Sequence, residues 1–141
     1  MRNSRASLFL MELMISILFF SLSSAVCIQL FVKAHTINAD TEDKSNATLI
    51  AQDISELFHH TKGDKEQLLS YYTKYESTSN EVLLYFSENG SSCAKEGARY
   101  IAALSFEQNG AYRILTMEIT CIEKEEILYS STLKKYIQTT L

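Results

Sequence analysis

Between Arg5 and Lys33 the chain carries a single charge, Glu12, within an otherwise largely apolar run. From Leu13 to Val32 about 20 residues carry no charge, enough for a helix to cross a hydrocarbon core roughly 30 Å thick. Arg2 and Arg5 precede this run. Basic flanks stay cytoplasmic, so the C-terminal part is expected outside.

The remaining chain is short enough to bound the rest. Of 141 residues, 46% are hydrophobic and 21% charged, which suits one compact domain once the apolar segment is set aside and leaves no room for a second. Pro is absent and Gly occurs only at 63, 90, 97 and 110, so long uninterrupted elements are expected. The net charge is −4, with the basic residues beyond Lys33 outnumbered by acids and dispersed among them. That argues against nucleic acid as a partner.

Three readings compete for the apolar run. A plain anchor needs only its length. A removable secretory signal would use Arg2 and Arg5 as its basic part, Leu8 to Phe20 as its apolar part and Ser23, Ser24 and Ala25 as the cut site, leaving Val26 as the new start. Glu12 interrupts that apolar part, and the chain stays apolar from Val26 to Val32. Cys27 suggests a lipidated cysteine, but Val26 is poorly suited to precede one.

The third reading explains Glu12. The stretch Ser7-Leu-Phe-Leu-Met-Glu-Leu-Met-Ile15 resembles the class III signal of type IV pilins and type II secretion pseudopilins. In that family a short basic leader ends at a small residue, usually Gly. The mature chain begins with an apolar residue and has glutamate as its fifth. Aligning Glu12 with that glutamate places the cut between Ser7 and Leu8. The resemblance implies cleavage and N-methylation by a prepilin peptidase on the cytoplasmic side, retention of the helix, and assembly with other pilin or pseudopilin subunits. Ser7 stands in place of the usual Gly, Leu8 in place of the commoner Phe or Met, and no helix-kinking Pro is present. These departures favour a minor or divergent pilin over an abundant filament subunit.

A physical reason for such a glutamate exists apart from any family. A carboxylate at the centre of a membrane helix costs about 2.5–3.5 kcal/mol on insertion scales, so it is normally partnered. A neighbouring subunit's cationic N-terminus, at ~4 Å and an effective dielectric near 20, offers on the order of 4 kcal/mol before desolvation. The simpler alternative is a glutamate near the interface that reaches toward cytoplasmic water.

Beyond Val32, the residues Ala47, Ile50, Ile54, Leu57 and Phe58 follow helical spacing and predict an amphipathic helix. If residues 33–46 are also helical, one long helix ends near Gly63. The polar run Asn38–Asn46 is the weak point, and a loop there would start a second helix capped by Ser45 or Asn46. Strands are expected over Glu81–Ser87, Arg99–Glu107, Tyr112–Glu123 and Glu126–Ile137, with turn signals at Asn89-Gly90 and Asn109-Gly110. The predicted organisation is a leader over 1–7, a membrane and assembly helix over 8–33, its amphipathic continuation over 34–63, and an antiparallel-sheet region over 64–141. The fold class is α+β, four antiparallel strands over one long helix, which matches pilin architecture. The Leu68–Tyr72 connection carries tyrosines that, with Tyr75, either form a contact surface or pack on the sheet.

Catalytic and ligand patterns are weak. His59-His60 point about 100° apart on a helix and His35 is distant, so no metal site is expected. No Gly-x-Ser-x-Gly, phosphate loop or dinucleotide fingerprint occurs, and no cofactor is expected. Glu123, Glu125 and Glu126 read as a solvated turn around Lys124. Cys93 and Cys121 are candidates for a disulfide or, equally, for two buried thiols. The sequence thus points to a non-enzymatic minor pilin or pseudopilin of the cytoplasmic membrane, with membrane lipid as a further partner. The alternatives are a single-pass, unassembled extracytoplasmic binding protein and, third, a secreted soluble protein.

Overall fold

The computed structural model describes residues 2–138. Met1 of the expected leader and residues 139–141 of the expected sheet region lie outside the described residues. The chain divides into two compact units, residues 1–40 and 41–141.

One helix, α1, runs from Arg2 to His60 without a break, passing through the polar run 38–46 that made a loop conceivable. Nothing in this stretch opposes it, because the first glycine is Gly63 and no proline exists. Three hydroxyls along the first unit's part of α1 bond back to carbonyls four residues earlier. Ser16 donates to the Glu12 carbonyl at 2.9 Å, Ser21 to Ile17 at 2.9 Å and Thr36 to Val32 at 3.1 Å.

In the second unit α1 buries a stripe of Asp43, Ala47, Ile50, Ala51, Ile54 and Phe58, with Leu57 half-buried beside it. The helix ends where Lys62 and Gly63 turn left-handed, at φ 53° and 76°, and Gly63 N–H donates to the Phe58 carbonyl at 2.8 Å. A Cβ on Gly63 would approach the Arg113 side chain to 2.9 Å and the Phe58 ring to 3.2 Å, so this position needs glycine for space as well as for conformation. A short helix, α2 (Lys65–Leu69), follows. Asp64 caps it by accepting from Gln67 N–H at 3.0 Å, and it buries Leu68 and Leu69.

The sheet has five antiparallel strands in chain order: β1 (Tyr75–Ser77), β2 (Val82–Phe86), β3 (Tyr100–Asn109), β4 (Tyr112–Cys121) and β5 (Glu126–Tyr136). The last four were expected. β1, wholly exposed, adds a fifth in what reads as a connection. Register aligns the core in rows across the strands: Val82–Leu104–Met117, Leu84–Ala102–Ile119 and Phe86–Tyr100–Cys121. All nine residues are buried and form one hydrophobic cluster with the α1 stripe. The fold is thus α+β, with the second unit's part of α1 packed on an antiparallel sheet.

The Asn-Gly signals act one position away from the simple expectation. Asn109 pairs with Tyr112, so Gly110 and Ala111 form the β3–β4 loop, with positive φ only at Gly110, as in a II′ turn. Asn89-Gly90 lies within the long β2–β3 connection, which reverses there and returns alongside Phe86 at Ser92. At Leu128 a bulge interrupts the β4–β5 register, and β5 carries Lys134 and Lys135 just before its last residue, Tyr136. Both features blunt an edge strand against further pairing.

Candidate functional sites

The first unit's helix exposes every large apolar residue from Leu8 to Val32. It is unburied and is long and apolar enough to cross a membrane. Ser7 and Leu8, the expected cut site, are exposed and helical, and Glu12 is exposed one turn further on. The separation of Leu8 and Glu12 by four positions puts both on one face of the helix.

The second unit contains a charged clamp that sequence reasoning missed. Asp43 sits in the apolar stripe of α1 and is only 2% exposed. Its Oδ1 accepts from Tyr100 OH at 2.8 Å and from Arg99 Nε at 3.1 Å, while Oδ2 accepts from Lys124 Nζ at 2.8 Å. Arg99 also lies 3.4 Å from Glu123 and 3.8 Å from Glu88. Asn46 extends the network, donating to the Glu88 carbonyl at 3.1 Å and to Tyr100 OH at 3.4 Å.

Burial alone would raise the Asp43 pKa. Hydrogen bonds from Lys124, Tyr100 and Arg99 outweigh it and hold the carboxyl below its ordinary value. Arg99 is shifted upward, its burial outweighed by Asp43 and Glu123. Both oxygens of this buried carboxylate accept from donors of the sheet region, so the clamp ties α1 to the start of β3 and to the β4–β5 turn. The signal for it was present, because Asp43 lies four residues before Ala47 and seven before Ile50. A carboxylate at a stripe position reads naturally as an interruption of the stripe. Glu123 and Lys124 belong to this network and not to a merely solvated turn.

A second, exposed strap sits at the sheet edge. Glu76 on β1 accepts from Tyr85 OH at 2.9 Å and from Lys95 Nζ at 3.2 Å, and Lys95 lies 5.9 Å from the Tyr85 ring centroid. The Tyr85 hydroxyl and then Lys95 lower the Glu76 pKa.

The candidate disulfide does not form. Cys93 and Cys121 are both free thiols, half-buried and buried respectively. Cys93 N–H bonds the Tyr85 carbonyl on the β1 side of β2, whereas Cys121 lies across β3 from Phe86. About three strand spacings, roughly 14 Å, separate them, twice the reach of a disulfide. His59 and His60 are exposed at the end of α1. Among the described residues no group of three His, Cys, Asp or Glu side chains is placed to hold a metal.

Comparison of the chain with known protein families, with curated proteins and with solved structures finds no match.

Proposed function

We propose that this chain is a minor pilin or pseudopilin: a non-enzymatic structural subunit inserted in the cytoplasmic membrane by α1, with its sheet domain outside. Prepilin peptidase cuts before Leu8, and the subunit then enters a type IV pilus, competence pilus or secretion pseudopilus beside other subunits. One observation carries the reading. Glu12 is the fifth residue after Ser7 and the sole charge between Arg5 and Lys33, in a stretch of α1 whose large apolar residues are all exposed. An exposed helix that is apolar all round needs a nonaqueous neighbour, and a carboxylate inside it needs a cation. A neighbouring subunit in a helical stack supplies both.

The test is the intact mass and N-terminal sequence of the protein from membranes of cells with and without prepilin peptidase. A peptidase-dependent start at Leu8, methylated, supports the pathway. An uncut chain in both cells overturns it in favour of an unassembled single-pass anchor, and a start at Val26 means a secreted domain.

A further inference from the structure

A groove of about 650 Å³ opens on the second unit between α1 and the segment after α2. Asp53, Glu56, Leu57 and His60 form one wall, following the i, i+3, i+4, i+7 rule of a single helical face. Tyr71 and Tyr72 form the other.

The walls differ in a way that selects a ligand. Neither the Asp53 nor the Glu56 carboxylate has a cation or hydrogen-bond donor of its own among the described residues. Several cations of this domain are engaged elsewhere. Lys65 lies over the Phe106 ring at 5.8 Å, Lys95 bonds Glu76, Arg113 bonds the Lys62 carbonyl, and Arg99 and Lys124 hold Asp43. Tyr71 is 57% exposed, so its ring is accessible from the groove. Tyr72 is anchored edge-to-face on Phe86 at 6.1 Å, so its wall is fixed. Burial, and then the Asp53 charge facing it, push the Tyr72 hydroxyl pKa up to about 12, so it stays a neutral ring beside the acids.

We infer that this groove receives the side chain of a lysine or arginine presented by a partner subunit, its charge against Asp53 and Glu56 and its methylene stem against Leu57 and the tyrosine rings. Two carboxylates opposite two aromatic rings match such a side chain at both ends, charge and stem. The inference deepens the pilin reading and rests on it only for calling the partner a subunit. The chemistry of the groove stands on its own.

The experiment uses the full chain in uncharged detergent micelles with fluorotyrosine incorporated, the Tyr71 and Tyr72 fluorine resonances being identified through Tyr71→Phe and Tyr72→Phe. The probes are acetyl-lysinamide and acetyl-argininamide, with acetyl-norleucinamide as the uncharged control and phosphocholine as a lipid-headgroup control. Saturable shifts at Tyr71 and Tyr72 with the two cationic amides, about fivefold weaker in Asp53→Asn/Glu56→Gln, are expected. The other tyrosine resonances should stay unmoved, showing that the variant is folded. An equal response to norleucinamide, an undiminished response in the double variant, or no saturable shift overturns the inference. A stronger response to phosphocholine overturns the assignment to a protein partner. None of these results depends on whether the leader is cut, so failure here and failure of the pilin pathway are read separately.

Discussion

The two ends of α1 obey the same helical rules and satisfy them differently. Over residues 8–32 apolar side chains cover every face and all the large ones are exposed. Over residues 41–60, apart from the exposed Leu49, they narrow to one stripe, and that stripe is buried in one cluster with residues of β2, β3 and β4. The second stretch is explained within its own unit. The first is not, because apolar surface of that extent on a folded chain calls for lipid or other helices around it. Stability therefore belongs to residues 41–138, and whatever α1 does before residue 40 it does with something else.

Substitutions can break that contrast. Phe58→Ala should destabilise the domain most, by about 4 kcal/mol, as a fully buried ring is lost. Phe20→Ala, deleting a ring that is 75% exposed, should change unfolding by under ~0.5 kcal/mol. Denaturant titration of the full chain in micelles compares the two, and equal effects would refute the division of labour. Asp43→Ala should cost about 2 kcal/mol by the same measurement. That lies below the usual penalty for breaking a buried pair, because Arg99 and Lys124 keep partial access to water. Gly63→Ala should also cost about 2 kcal/mol, from the left-handed backbone and the contact with Arg113. An unshifted midpoint would show that the helix end relaxes freely.

Smaller still is the pH effect of the clamp. The Asp43 pKa is lower in the folded state than its ordinary 3.8, so on acidification the unfolded chain takes up this proton first. The clamp's contribution is complete above about pH 4 and disappears as pH falls through the folded value. Denaturation at pH 6 and pH 3 should show a stability loss in the native protein that Asp43→Asn lacks; equal losses would remove Asp43 as the sensor. On the proposed pilin reading, Glu12→Ala should leave the domain's unfolding midpoint unchanged and membrane insertion intact while impairing assembly. Assembly at normal levels would end the pairing role given to Glu12.

What could be read from residues alone follows the strength of their periodicity. Ala47, Ile50, Ile54 and Phe58 located the buried face of α1, and alternation within Tyr112–Glu123 located β4, which ends at Cys121, because repeated burial leaves a repeated pattern. β1 left none: Tyr75, Glu76 and Ser77 are exposed, and only pairing with Val82–Leu84 makes them a strand. The strap through Glu76, Tyr85 and Lys95 was hidden for the same reason. Asp43 was hidden in the opposite sense, since its partners Arg99, Tyr100 and Lys124 come together only when the sheet forms. The Cys93–Cys121 pairing failed on topology, with β3 lying between β2 and β4. At the N-terminal end the helix itself was legible, and the roles of Ser7, Leu8 and Glu12 rest on resemblance and on the chemistry of a lone carboxylate.

The strand order has a consequence for how the domain comes into being. Each strand pairs with its neighbour in sequence, through connections as tight as Gly110-Ala111, so the sheet can close by successive local steps and meets little loop-closure entropy on the way. The helix stripe that this sheet covers precedes it in the chain. During synthesis Ile50, Ile54 and Phe58 therefore emerge before Leu115, Met117 and Ile119 exist to cover them, and the interval until β4 arrives is when this protein is most exposed to chaperones and proteases.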